Sequence, residues 1–191
     1  MPDNKQEMNI QWYPGHMTKT RRMIQSQLKN MDAVCEILDA RIPISSRNPD
    51  VEELTAGKPR LVVLNRIDIA DSDATRTWAA WFRSKGFAVL EVNAKDGQGT
   101  ARFAAAVREL LADKLAAYAE KGQVGRTVRV MIFGIPNVGK STFINKVAKR
   151  KTAKAEDRPG VTRTQQWVPV DRSLELMDTP GMLWPKFDDP Q

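Results

Sequence analysis

The sequence holds a single cysteine, no long apolar run and no internal repeat in its 191 residues. Cys35 has no partner for an internal disulfide, which excludes a disulfide-stapled scaffold and fits a reducing compartment. It lies in an apolar run and so reads as a buried, inert thiol rather than a nucleophile. No stretch approaches the roughly 18 uninterrupted apolar residues of a membrane span. Residues 1–17 are polar and contain no signal-peptide core. The expectation is a soluble cytoplasmic chain with no membrane partner. What is present is ordinary for a globular domain: 41% hydrophobic and 28% charged residues, with 11 Gly and 11 Pro. Lys and Arg number 30 against 23 Asp and Glu, a net +7, which suits either a polyanionic partner such as nucleic acid or a solvated basic surface.

Hydrophobic periodicity gives alternating elements. Helix is expected over 17–30, strand over 33–38, a Pro- and Ser-rich loop over 40–50 and strand over 60–64. A helix follows over 73–85 with Trp78, Trp81 and Phe82 at core-facing spacing, then strand over 87–92. One long Ala-rich helix is expected over 101–120, strand over 127–133 and helix over 141–149. Residues 166–170 and 174–177 read as a hairpin that adds an antiparallel strand. Such alternation specifies a layered α/β fold with a largely parallel sheet.

Gly134-Ile135-Pro136-Asn137-Val138-Gly139-Lys140-Ser141 matches the phosphate-binding loop Gly-x-x-x-x-Gly-Lys-Ser/Thr, between an apolar strand and a helix. Glycines let backbone N–H groups approach phosphates without Cβ clashes. Lys140 supplies charge to the β- and γ-phosphates, Ser141 is a Mg²⁺ ligand, and Thr142 extends the helix N-terminus. Asp178-Thr179-Pro180-Gly181 follows an apolar strand about 40 residues later; Asp178 suits the Mg²⁺ shell and the Gly181 N–H a γ-phosphate. Between them, Thr162 is the preferred second Mg²⁺ ligand, with Thr164 as competitor. Asn65-Arg66-Ile67-Asp68 is like the guanine motif Asn-Lys-x-Asp, with Arg for Lys. Asp68 would accept the guanine N1–H and 2-amino protons that adenine lacks. Asn65 would contact the base edge and tie this loop to the phosphate loop, and the Arg66 stem would cover the base face. Asn93-Ala94-Lys95 is the second base loop, with the Ala94 N–H aimed at the guanine O6.

The base motifs precede the phosphate motifs, the reverse of the common order. The chain resembles the circularly permuted GTPases, most closely the ribosome biogenesis GTPase A (YlqF/RbgA-like) family. The resemblance rests on Trp12-Tyr13-Pro14-Gly15-His16-Met17, on Asp39-Ala40-Arg41-Ile42-Pro43 with Arg47-Asn48-Pro49, on the permuted motifs, and on the run Asp178 to Phe187. It implies a three-layer P-loop GTPase fold, mostly parallel with one antiparallel strand. An extension with a basic helix would occupy 1–31 and the GTP-binding domain 32–191.

The residue after Gly181 is Met182, not the water-orienting glutamine of many GTPases, so slow unaided turnover is expected. By resemblance Asn137 would help bind K⁺, or else be a loop-stabilising Asn. His16, the only histidine, would position water at the γ-phosphate, or else pack on Trp12 or contact RNA. Residues 121–165 hold 11 basic and 2 acidic side chains. Lys146, Lys149, Arg150, Lys151 and Lys154 form a strip beside the switch that suits RNA phosphates or a solvated helix end. The resemblance implies the large ribosomal subunit and its rRNA as partner, GTP or GDP with Mg²⁺ as ligands, and a monomer. Two other functions stay open: an RNA- or ribosome-binding switch with negligible hydrolysis, and a permuted GTPase of the small subunit. The chain stops ten residues after Gly181, so the family's C-terminal helical domain is expected to be missing from it.

Overall fold

The computed structural model describes residues 15–148 and 167–179. Its elements run α1 (Gly15–Leu28), β1 (Ala33–Asp39), α2 (Pro49–Leu54), β2 (Arg60–Asn65), α3 (Ser72–Ser84) and β3 (Ala88–Glu91). Then come α4 (Phe103–Leu110), α5 (Ala112–Glu120), β4 (Val128–Phe133), α6 (Lys140–Val147), β5 (Trp167–Asp171) and β6 (Leu174–Asp178). The six strands form one sheet in the order β3-β2-β1-β4-β6-β5, and every pairing is parallel except β5 with β6. The expected α/β class and the antiparallel hairpin are both present.

Burial on both faces explains the unbroken apolar runs of the central strands. All residues of β1 and β2 are buried. On one face, Ala33, Cys35 and Ile37 of β1 meet Phe103 and Val107 of α4 and Phe143, Ile144 and Val147 of α6. The Phe103 and Phe143 rings pack edge to face at 5.3 Å. On the other face, Val34 meets Ile24 and Leu28 of α1 and Val51 and Leu54 of α2, while Leu38 meets Ala79 and Phe82 of α3. Three layers result, with α1 inside the packed body. Among the described residues no helix is long and apolar enough to cross a membrane.

Three local expectations change. The loop 40–50 ends in helix α2, six residues long and too short for a periodic signal. Its start was written in chemistry instead: Asn48 Oδ1 accepts from the Asp50 N–H at 2.8 Å, followed by Pro49 in the first turn. The long helix over 101–120 breaks at Leu111, whose φ of −101° and ψ of 13° leave the helical register while its side chain enters the core. In α3 the stripe Thr75, Ala79, Phe82 faces the sheet, leaving Trp81 exposed under the Lys85 ammonium, 5.3 Å from the ring centroid.

Glu36 is the one charge in the middle of β1, and its side chain is only 2% exposed. Arg47 reaches it at 3.3 Å and Arg60 at 3.4 Å. Arg60 also bonds Glu52 at 3.1 Å and Thr55 Oγ1 at 2.5 Å, and lies 4.7 Å from the centre of the Phe87 ring. This network fastens the segment between β1 and α2, the segment that leaves the C-terminal end of the central strand. Arg21 of the basic helix α1 pairs with Glu53 at 2.8 Å and with Asp50 at 3.6 Å, so α2 neutralises part of its charge; Lys19, Arg22 and Lys29 stay exposed.

Candidate functional site

The order of the sheet reverses at β1, which pairs with β2 on one side and β4 on the other. Open α/β sheets bind ligands outside the carboxyl ends of the strands at such a point. Asp39 ends β1, Asn65 ends β2, Asn93-Ala94 follows β3, and the glycine loop follows β4, so the predicted motifs converge on one rim.

Asn65 holds the rim together. Its carboxamide is buried, with Nδ2 donating to the Val138 carbonyl at 2.8 Å and Oδ1 accepting from the Ala94 N–H at 2.9 Å. The expected tie to the phosphate loop is present. The Ala94 N–H, read from sequence as aimed at the base, is committed to Asn65 instead, because a buried carboxamide oxygen requires a donor. The Asn93 side chain shapes the same loop by accepting from the Lys95 N–H at 3.1 Å.

Arg66 stands at φ 68°, and its guanidinium reaches Asp39 Oδ2 at 3.1 Å and the Asn137 carbonyl. Arg66 therefore links the end of β1 to the phosphate loop at Asn137, itself at φ 69°. Asp39 had no role assigned from sequence; an acid at the end of a largely apolar strand was the available signal. Its oxygens also accept from Arg41 Nε at 3.0 Å and Nη2 at 2.8 Å. Burial pushes the Asp39 carboxyl upward, but the Arg41 hydrogen bonds and the Arg41 and Arg66 charges outweigh it and hold the group below its ordinary value of 3.8. A carboxylate shifted this way adds stability above its unfolded value, and that stability is lost as pH falls through the folded value. Urea midpoints measured from pH 6 to pH 3 are expected to fall more steeply below about pH 4 in the wild type than in Asp39→Asn. Parallel curves would remove Asp39 from the acid response.

Asp68 is exposed and has no hydrogen bond or ion pair among the described residues, so its carboxylate is open to a ligand; Ile67 is half-buried beside it. Gly134 and Gly139 shape the glycine loop between β4 and α6. A Cβ on Gly134 would lie 3.1 Å from Val138 Cγ2, and one on Gly139 would lie 2.4 Å from Asn65 Nδ2. Gly139, at φ +91°, starts α6 with no side-chain cap and no acid in the first turn, so the helix's positive end is left for an anion. Lys140 extends back to Asp178, with Nζ 2.7 Å from Oδ1 in a charge contact outside hydrogen-bond alignment, and 3.3 Å from the Thr179 carbonyl. Thr179 is pinned by its N–H and hydroxyl to the Ile132 carbonyl at 3.1 and 2.9 Å. Ser141 is half-buried one residue on, and Thr142 is exposed. An uncapped helix start beside glycines, an ammonium and a carboxylate fits a phosphate chain with a hard cation. Among the described residues no cluster of three acids, histidines or cysteines could hold a metal unaided.

His16 belongs to α1, but its side chain lies outside the described residues, as do Thr162, Thr164, Gly181 and Met182 and, of the basic strip, Lys149, Arg150, Lys151 and Lys154. Lys146 is exposed near the end of α6. Cys35 is fully buried, which pushes its thiol far upward and makes it inert, as expected.

A family model described as "50S ribosome-binding GTPase" matches residues 129–190. Ribosome biogenesis GTPase A of Bacillus cereus is 53% identical over 182 residues, covering 95% of this chain and 62% of that protein. The chain is similar to ribosome biogenesis GTPase A along nearly its whole length. The crystal structure of GNP-bound YlqF from T. maritima superposes with a TM-score of 0.58 at 30% identity, covering 90% of this chain and 61% of that one. A GDP-bound structure of YlqF gives 0.57 at 29% identity, covering 88% and 61%. The fold is that of a P-loop GTPase with permuted motif order. The chain spans about three fifths of the length of the curated relatives it matches.

Proposed function

We propose that this chain binds and hydrolyses GTP as part of a cytoplasmic ribosome assembly factor acting, as a monomer, in late maturation of the large (50S) subunit. The observation that carries the nucleotide reading is the Asn65 carboxamide, which joins the β2 loop, the Ala94 loop and the phosphate loop on one rim. Guanine would be selected by the exposed Asp68, with the Arg66, Asn93 and Lys95 segments around it. The phosphates would lie on residues 137–142, with Lys140 released from Asp178 to meet them. Mg²⁺ would be held by Ser141, Asp178 and Thr162 and would supply charge neutralisation on the phosphates, while the Gly181 N–H would meet the γ-phosphate. Asn137 would serve a K⁺ beside the same phosphates, and His16 would position the attacking water. The ribosomal partner rests on the relatives' names and on the basic strip of 146–154.

GTP turnover is expected to be slow alone and to rise with large subunits, more in K⁺ than in Na⁺ buffer. With a non-hydrolysable GTP analogue the protein should cosediment with large rather than small subunits. Cosedimentation with small subunits would reassign the partner, and unchanged turnover with large subunits would favour a binding switch with negligible hydrolysis. Met182 supports that second reading. Full subunit-stimulated turnover in His16→Ala would remove the histidine from the chemistry.

A further inference from the structure

A concavity of about 210 Å³ opens between α1 and the β4–β6–β5 part of the sheet. Small-molecule sites usually span roughly 300–1,000 Å³, so this one is sized for part of a ligand whose remainder stays outside. Its floor is Met31 and Met177, both buried in the core. One wall is the Trp167 ring, half-buried, with the Arg129 guanidinium 4.8 Å from its centroid. The other wall is Ser26 and Gln27 of α1 with Asn30 in the turn after it.

Gln27 is the decisive residue. It is only 9% exposed, and its Oε1 is buried without a hydrogen-bond partner among the described residues. Buried acceptors are normally satisfied, so an orphan on a residue that lines a cavity leaves a demand for a donor unmet. A carboxamide offers an acceptor beside a donor, which complements the amino group and ring nitrogen of adenine. An aromatic ring stacked with an arginine supplies the planar wall that unpaired bases use. Lys19, Arg22 and Ser26 follow each other at helical spacing on the exposed face of α1 and lead to Asn30, so two cations continue the line of the pocket for a trailing backbone. Arg129 Nε is engaged by Glu175 at 2.9 Å, which fixes the guanidinium on the ring.

We propose that this pocket receives one unpaired RNA base, adenine by preference, with Gln27 reading its edge and Trp167 with Arg129 forming the stacking wall. The site is separate from the phosphate loop and takes only the class of partner from the RNA reading. The probe is an eight-residue oligoadenylate, titrated by fluorescence anisotropy into GDP-saturated protein so that the GTP site is occupied. Oligoadenylate is expected to bind at least about tenfold tighter than oligouridylate of equal length, or than AMP. Trp167→Ala is expected to weaken it about tenfold, within the range of one lost base stack. Gln27→Leu is expected to abolish the preference for adenine over uracil. Should the Trp167 variant fail to fold, Asn30→Asp at the exposed rim provides the test by placing a negative charge against the RNA backbone, with a weakening of similar size. Equal binding in the wild type and these variants overturns the proposal, as does AMP binding as tightly as the oligomer, which would make this a free-nucleotide site. Loss of the pocket with ribosome cosedimentation intact would leave the assembly reading standing.

Discussion

Gly139→Ala is expected to lower GDP and GTP affinity by about 100-fold or more in a fluorescent-nucleotide titration. Two effects combine. At φ +91° an L side chain costs roughly 1–2 kcal/mol. The new Cβ would also lie 2.4 Å from Asn65 Nδ2, and Asn65 has no slack because both ends of its carboxamide are engaged. Moving it strands the Val138 carbonyl and the Ala94 N–H, at about 1–3 kcal/mol for each buried group left unpaired. The base loops and the phosphate loop then separate, so the damage falls on the ligand as well as on stability. Gly57→Ala is the matching control: it has φ +81° but nothing within 4 Å of the added Cβ. It should lose stability by about 1 kcal/mol with unchanged nucleotide affinity. Similar nucleotide affinity in both variants would show that the Asn65 bridge does not organise the site.

Arg60→Ala is expected to cost about 3–5 kcal/mol in urea unfolding, the largest stability effect foreseen. Arg60 is 4% exposed and touches Glu36, Glu52, Thr55 and the Phe87 ring at once. Removing it leaves a buried carboxylate with only Arg47 against it, at 3.3 Å. Arg47 keeps the cost toward the lower end. The paired change Arg60→Met with Glu36→Leu should recover most of the loss, since replacing a buried ion pair with apolar groups is often near neutral. A double variant no better than Arg60→Ala would locate the cost in packing on Phe87 rather than in the stranded charge.

Motifs tied to strand ends were legible in the sequence because spacing and an apolar strand together fix where a loop must sit. The place of the glycine loop after β4, the Asn65 tie and the exposure of Asp68 follow from that. Contacts between distant segments that no motif names were not legible. Asp39 meets Arg66 across 27 positions, and Arg66 in turn meets the Asn137 carbonyl, so nothing local marks either contact. The Ala94 N–H was read toward the ligand because a motif names no internal competitor, and a buried Asn65 oxygen is one. The break at Leu111 was hidden for a different reason: Ala-rich sequence favours helix on both sides, and only core packing decides that one leucine turns inward. In α3, three large aromatics looked equivalent until the sheet selected the face that buries Phe82.

The lone thiol described as inert has a use because of where it is. Cys35 sits mid-strand in β1, flanked by β2 and β4 and covered by helices on both faces, so no fraying of the rim exposes it. A thiol reagent can reach it only when the sheet parts at its centre. Its labelling rate is therefore a stopwatch for whole-domain opening, with no second sulfhydryl in the chain to blur the reading.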